Sequence, residues 1–307
     1  MAAGTGARPL TGDLPRDGIG QPDPVILADP TVLFARRAER LRVLAVGHPM
    51  ADWLRFLSLI ADAQQRACAS PLSPWPGSAE PVTAGNQTLD GPPLPAETIR
   101  PDATFDTIVA NLVTVAADPM MPEPARSILS DLTGLDVHAV ADGWLTGTLS
   151  SEYAGHAVPI AAALQVWFAR RAAALDVGTV HLLPQRGLCP VCASAPVAGL
   201  ITAKGKTPGA RYLHCGLCAT AWNFVRASCT GCGESKGLAL QEVEGGSGAV
   251  KAETCDVCHG YAKMFYQAKD MAIEPLADDL GSLGLDLMIS DAGWSRLAPN
   301  PLLLAAR

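Results

Sequence analysis

Eight of the nine cysteines in this chain form four Cys-x-x-Cys pairs within its last third. The pairs are Cys189/Cys192, Cys215/Cys218, Cys229/Cys232 and Cys255/Cys258. Twenty-two residues separate the first pair from the second and the third from the fourth, whereas ten separate the second from the third. The repeated gap indicates two copies of one unit. Each unit supplies four thiols, the number that a tetrahedral metal site requires.

Sequential pairing is the interpretation that the equal gaps favour, with the first two pairs on one ion and the last two on another. A cross-braced arrangement, in which the first and third pairs share an ion, stays open because the ten-residue link permits it. Four thiolates leave no open coordination position, so such a site is structural or transfers electrons and is not hydrolytic. Zinc is the usual ion of such a ribbon, and iron in the same cage gives a rubredoxin-like centre.

No catalytic or organic-cofactor-binding residue is predicted. The sequence contains no Gly-rich phosphate loop, no Gly-x-Ser-x-Gly elbow and no His-Glu-x-x-His motif. Three histidines, His181, His214 and His259, lie near the cysteines, but eight thiols already complete two sites, so we expect cysteine ligands alone. Cys68 stands apart and is predicted to be a buried apolar thiol. A thiol-exchange enzyme is disfavoured because metal binding would occupy every pair.

Composition predicts a globular protein of two or three domains. The chain has 307 residues, of which 49% are hydrophobic and 5% aromatic, and its net charge is −7. No apolar run reaches membrane-spanning length and the first residues show no signal peptide, so we expect a cytoplasmic protein without membrane insertion. Reduced thiols in the cytoplasm favour metal thiolates over disulfides. A secreted disulfide scaffold is the competing interpretation.

The predicted fold class is α+β: an all-α N-terminal domain, two four-cysteine rubredoxin-like or zinc-ribbon units, and a C-terminal helical tail. Residues 1–28 are assigned to a flexible tail, 29–182 to the helical domain, 183–226 to the first ribbon, and 227–307 to the second ribbon with the tail. A proline-rich loop is expected between residues 69 and 100. Helices are expected from proline starts and apolar periodicity over residues 30–46, 53–68, 104–117, 124–132, 137–146, 157–176 and 270–285. Strands are expected at 211–214 and 220–226.

The charge of the ribbon region argues against nucleic acid as the partner. Nine basic residues and five acidic residues lie between Arg186 and Lys269. A divalent ion with four thiolates is itself doubly negative, so two such sites cancel the basic surplus. Binding to a nucleic-acid backbone needs an excess of positive charge. A protein partner is therefore favoured, and a metal-ribbon nucleic-acid-binding or regulatory module is the alternative.

The ribbon region and the C-terminal tail resemble the formate dehydrogenase accessory (FdhE-like) protein family. The similarity is specific from about residue 183 to the end and looser upstream, at 52–56 and 161–165. The segments that carry it are Cys-Pro-Val-Cys at 189–192, Tyr-Leu-His-Cys-Gly-Leu-Cys at 212–218, 222–226, Cys-Thr-Gly-Cys at 229–232, 251–258, 266–270, 277–280 and Asn-Pro-Leu-Leu at 300–303.

This resemblance implies a cytoplasmic chaperone-like assembly protein for respiratory formate dehydrogenase, which binds the catalytic subunit before export and is not an enzyme. It also implies two metal ions per chain and shifts the expected ion to iron, with zinc as the second choice. All eight cysteines of the family pattern are present. Whether the chain forms a homo-oligomer is left open.

Overall fold

A computed structural model describes residues 20–69 and 91–303. The N-terminal half of this part is helical, as the sequence predicts. Its helices are α1 (Leu33–Leu44), α2 (Ala51–Ala67), α3 (Thr104–Val113), α4 (Glu123–Asp131), α5 (Val137–Thr146) and α6 (Ala157–Ala173). Single 3₁₀ turns follow α3 and α4 and precede α6, and another at Val177–Thr179 follows α6.

Helix α6 is the centre of the helical domain. Nearly every residue of this helix is buried, including Leu164, Trp167 and Phe168. The run Ala161–Ala163 presents only methyl groups, which lets α2 and α3 approach the α6 axis closely. The domain therefore wraps around one buried helix.

The C-terminal half of the described chain is built on one mixed eight-stranded sheet. Its main path runs β1-β4-β3-β2-β7-β6-β5, and β8 pairs with β7 off this path. Two helices, α7 (Pro275–Leu280) and α8 (Leu283–Asp291), follow β7. The strands are β1 (Val25–Ile26), β2 (Pro196–Ile201), β3 (Arg211–Cys215), β4 (Ala221–Asn223), β5 (Leu238–Gln241), β6 (Val250–Cys255), β7 (Gly260–Tyr266) and β8 (Ser295–Arg296).

The two cysteine units are joined within this sheet. Strands β2, β3 and β4 belong to the first unit and β5, β6 and β7 to the second, and the parallel pairing of β2 with β7 links them. Gly199 faces Met264 in this register, and a Cβ at Gly199 would lie 2.5 Å from the Met264 sulfur. The absence of a side chain at Gly199 is therefore what allows the two units to meet.

A buried ion pair crosses the same junction. The Arg211 guanidinium in β3 donates to the Glu253 carboxylate in β6, with nitrogen–oxygen distances of 2.9 and 3.2 Å. Arg211 also donates to the Ser228 carbonyl and to the Thr230 hydroxyl, on the link between the units. Burial lowers the pKa of Arg211 and raises that of Glu253, so desolvation offsets much of their attraction.

The segment after β7 fastens the sheet to the helical domain. In α1, Arg37 donates to Glu274 at 3.2 Å, and Arg40 donates to both oxygens of Asp278. Inside the sheet domain, the Lys263 ammonium ion is fully buried and pairs with Asp279 at 3.2 Å. Contacts from α1 and from β7 therefore converge on α7.

Two expectations from the sequence need correction. Residues 20–28, assigned to the flexible tail, include a strand: Val25 and Ile26 pair with Trp222 and Ala221 of β4. Residues 1–19 lie outside the described part. The C-terminal tail is also not one helix over 270–285, because α7 ends at Leu280 and α8 begins at Leu283 after Gly281 and Ser282.

Replacing Arg211 by Met tests the junction between the units. The variant leaves the Glu253 carboxylate buried without its partner, which costs about 3–5 kcal/mol of unfolding free energy. Urea unfolding of the metal-loaded protein measures this loss. The control is Lys206→Met, which removes an exposed pair with Asp23 and should cost less than about 1 kcal/mol. Equal effects of the two variants would contradict the role of the buried pair.

Candidate metal centres

The first group of sulfurs has the dimensions of a tetrahedral metal cage. Cys189 Sγ lies 3.5 Å from Cys218 Sγ, and Cys192 Sγ lies 3.4 Å from Cys215 Sγ. All four sulfurs lie within 4.8 Å of one another. A tetrahedral ion with metal–sulfur bonds of about 2.3 Å spaces its ligands by roughly 3.8 Å. The group therefore fits one ion after small shifts of the sulfurs.

The second group repeats this arrangement. Cys229 Sγ lies 3.7 Å from Cys258 Sγ, and Cys232 Sγ lies 3.8 Å from Cys255 Sγ. In both groups the outer cysteines of the two pairs approach each other, and so do the inner ones. The sulfurs are grouped in chain order, as the equal gaps favour, and not cross-braced. Both groups consist of cysteines alone.

Each pair is shaped by one residue in the left-handed region. Ala193, Ala219, Gly233 and His259 each follow the second cysteine of a pair and have φ between 52° and 78°. This conformation reverses the chain direction after the second cysteine, and in three of the four pairs the amide of the left-handed residue bonds back to the first cysteine. The amide of Ala193, for example, donates to the Cys189 carbonyl at 2.9 Å, and the equivalent bonds recur at Gly233 and His259.

Backbone amides also point at the sulfurs. The amides of Leu217 and Cys218 lie 3.3 and 3.4 Å from Cys215 Sγ and donate to it. Hydrogen bonds to a thiolate stabilise its charge. The turn between Cys215 and Cys218 therefore stabilises the thiolate form of Cys215.

Burial sets the charge state of the first group. It raises the pKa of Cys189 and of Cys218 well above the ordinary thiol value. Burial also opposes ionisation of Cys192, but hydrogen bonds from the neighbouring thiols outweigh it and hold the pKa of Cys192 well below that value. Ionisation of Cys189 and Cys218 is therefore disfavoured without a cation. A bound cation would supply the charge that allows these thiols to ionise.

The second group is balanced in the same way. Burial raises the pKa of Cys229 to about 12 and raises that of Cys258. Burial opposes ionisation of Cys255 too, but amide donors from Cys258 and Val257 lower its pKa overall. Both donor sets are soft and complete, so each suits an ion such as zinc or iron with no open position.

Three elements cover the first group. The amides of Leu94 and Ala96 donate to the carbonyls of Val191 and Cys192, at 2.8 and 3.0 Å. From α6, Gln165 Nε2 donates to the Gly216 carbonyl at 2.7 Å. From the C-terminal segment, Pro301 packs on Gly216, where a Cβ would lie 2.9 Å from Pro301 Cγ. The first group is therefore part of the interface with the helical domain.

Gln165 is a bridging residue beside the first group that the sequence analysis did not single out. Its Oε1 accepts from Arg37 at 3.2 Å and from Gln64 at 2.9 Å while its Nε2 holds the cysteine turn. All three side chains are buried. A lone glutamine among the apolar residues of α6 was the available signal, because a buried amide needs partners.

The remaining candidates lie outside both groups. Cys68 is partly buried near the end of α2, and burial raises its pKa to about 11, as expected for an inert thiol. His214 points its ring away from water, and burial lowers its pKa to about 4. His259 packs its ring on Trp294, with centroids 5.9 Å apart. His181 is exposed in the stretch between α6 and the first pair.

A helical domain fused to a sheet that presents two closed four-cysteine groups defines a class of metal-ribbon protein. Family models described as the FdhE N-terminal, central and C-terminal domains match residues 22–183, 188–226 and 227–303. The chain belongs to the FdhE family, which confirms the resemblance seen in the sequence.

Relatives match over nearly the whole chain. The "Protein FdhE homolog" of Edwardsiella ictaluri is 35% identical over 292 residues, covering 93% of this chain and 92% of the relative. That of Pectobacterium atrosepticum is also 35% identical, covering 92% and 91%. The crystal structure of the FdhE protein from Pseudomonas aeruginosa superposes with a TM-score of 0.79 at 34% identity, covering 91% of this chain and 98% of that one. In the described part of the chain, no helix combines the length and apolarity needed to cross a membrane.

Substitutions at the left-handed positions test the turn geometry. Gly233→Ala should lower the unfolding free energy of the metal-loaded protein by about 1 kcal/mol, because only glycine adopts this conformation freely. Gly233 is exposed and a Cβ there meets no atom within 4 Å. The loss of unfolding free energy would therefore come from the backbone conformation alone.

The matched control is Gly284→Ala in α8, where a Cβ also meets no atom within 4 Å and φ lies outside the left-handed region. This variant should raise the unfolding free energy by about 0.5–1 kcal/mol. Urea titration measures both. A neutral Gly233→Ala variant would contradict the assigned geometry.

Proposed function

We propose that this protein is an accessory factor for the assembly of formate dehydrogenase and that it binds the catalytic subunit of that enzyme before export. Membership of the FdhE family carries this proposal. The chemistry of the two cysteine groups supports a binding role, because closed sulfur sites offer no position for a substrate. The protein acts as a non-enzymatic chaperone in the cytoplasm.

The eight paired cysteines are the proposed metal ligands, with one ion in each group. Iron is the favoured ion and zinc the alternative. A bound ion would cross-link the four cysteines of its group. If the ion is iron, it could also supply an electron. The chain's own residues do the rest: the amides within each pair stabilise the thiolates, and Gln165 and the Leu94–Ala96 segment hold the first group against the helices.

The surface that holds the partner is proposed to be shared by the two halves of the chain. Arg37, Arg40 and His48 tie the helical domain to the segment around α7, through Glu274, Asp278 and the Gly281 carbonyl. The ribbons therefore present a fixed surface beside the helices. The domain boundaries at 182/183 and 226/227 stay predictions, as does the absence of a nucleic-acid partner.

Affinity capture tests the proposed partner. The tagged protein, expressed in cells respiring formate, should recover the catalytic subunit of formate dehydrogenase. Cys189→Ser should reduce this recovery at least ~10-fold, because it removes one ligand of the first group and loosens the junction of the two halves. The matched control is Cys68→Ser, whose thiol lies outside both groups and whose recovery should equal that of the unmodified protein.

Two results would contradict the proposal. One is capture of RNA or DNA that falls steeply with added salt, in the absence of the catalytic subunit, which favours a nucleic-acid module. The other is equal recovery of the catalytic subunit by Cys189→Ser and Cys68→Ser. This result would mean that partner binding does not depend on the first cysteine group.

A further inference from the structure

The two cysteine groups differ in their access to solvent. All four cysteines of the first group are buried, with at most 4% of their surface exposed. In the second group Cys229 and Cys255 are buried, whereas Cys232 and Cys258 are exposed. The two groups share one geometry and one ligand set, so this difference in exposure is what distinguishes them.

The residues inside the pairs follow the same division. Val191 and Leu217, within the first and second pairs, are buried in the core that the helical domain shares with the first unit. Gly231 and Val257 occupy the equivalent positions in the third and fourth pairs. Gly231 is exposed, and 59% of the surface of Val257 is exposed. The first group is therefore a core element and the second a surface element.

In the described part of the chain, the segment around Leu297 covers part of the second group. The Leu297 side chain lies against the backbone of Gly231 and of Gly260, and a Cβ at either glycine would be 2.6 Å from Leu297 Cδ2. The segment that carries Leu297 is held by backbone bonds to His259 and Tyr261. Cys232 and Cys258 stay exposed despite this cover.

We propose that the second group is the exchange site of the protein, where the ion and its thiolates react with molecules outside the chain, and that the first group is sealed. The reacting partner is a soft ligand: a thiol or a metal chelator. This inference rests on the metal assignment made under the proposed function.

Exchange at the second group is a ligand substitution. An incoming thiolate or chelator forms a bond to the ion as the bond from Cys232 or Cys258 breaks, and the freed thiolate takes a proton from water. No electrons change hands in this step. The exposure of Cys232 and Cys258 allows this substitution without unfolding of the protein.

The same step at the first group requires a larger opening. The ion is reached only after the Leu94–Ala96 segment, Gln165 or Pro301 leaves its place against the cysteine pairs. Such an opening breaks part of the core that is shared with the helical domain. Openings of this kind are rarer than local motions at an exposed turn, so exchange at the first group is slower.

Metal release from the full-length protein tests the proposal. The protein is first shown to hold two ions per chain and is then mixed with excess 4-(2-pyridylazo)resorcinol, which reports released zinc or iron by its colour. We expect two phases of one ion each, with rates that differ by ~10-fold or more. Iodoacetamide labelling in parallel, read by mass spectrometry, should modify Cys232 and Cys258 before any cysteine of the first group.

Variants at matched positions assign the phases. Cys232→Ser should abolish or accelerate the fast phase and leave the slow one unchanged, whereas Cys192→Ser, at the same place in the first group, should affect the slow phase. Gln165→Leu should accelerate only the slow phase, because it removes a covering bond and keeps every thiol. If Cys192→Ser does not fold, the order in which the cysteines of the unmodified protein are labelled tests the proposal.

Release of both ions in one phase, or earlier labelling of the first group, would overturn the exchange assignment while leaving the metal sites and the assembly role intact. Fewer than two ions at the start would instead overturn the metal assignment, and the exchange assignment with it. Failure to capture the catalytic subunit affects neither result, so the two proposals fail separately.

Discussion

Four buried sulfurs impose the constraint on which this structure depends. The first cysteine group lies in the main core, where an isolated thiolate is costly and four are prohibitive without a cation. The helical domain, the Leu94–Ala96 segment and the C-terminal Pro301 all pack against this one site. A metal ion bound in this group would therefore fix the surface against which the helices pack, as well as the shape of a small ribbon.

A chain of buried polar groups extends this constraint to the helices. Gln165 links the Gly216 carbonyl to Arg37, and Arg37 in turn reaches Glu274 at the start of α7. Each of these side chains depends on its hydrogen-bond partner. A buried amide or guanidinium without a partner lowers the free energy of unfolding by more than one hydrogen bond raises it. These contacts thus hold the two halves of the chain in a fixed arrangement.

The sequence predicted those features whose signal is local. The equal gaps of twenty-two residues predicted which cysteines share a group, a proline start predicted α1, and apolar periodicity predicted α2. The joining of the two units was not predictable in this way, because β2 and β7 pair residues such as Gly199 and Met264 with no regular spacing between them. The two-residue strand β1 was too short to show a pattern, so it was assigned to a tail.

The exposure of the second group was also not predicted from the sequence, although the residues between its cysteines differ from those of the first group. Pro-Val and Gly-Leu fill the first two pairs, and Thr-Gly and Asp-Val the last two. Only the tertiary packing shows that Val191 and Leu217 are buried while Val257 is open to solvent. Burial depends on which elements cover a turn, and here those elements come from residues about a hundred and about fifty positions upstream and about eighty-five downstream.

Hydrogen–deuterium exchange of the metal-loaded and metal-stripped proteins tests the central claim most directly. If the ion in the first group fixes the junction, stripping the protein should remove amide protection at both pairs of that group and at Leu94 and Ala96, whose donors bond to the first pair. Protection within α3 and α5, which lie away from the group, should persist. Unchanged protection at Leu94 and Ala96 in the stripped protein would contradict the account.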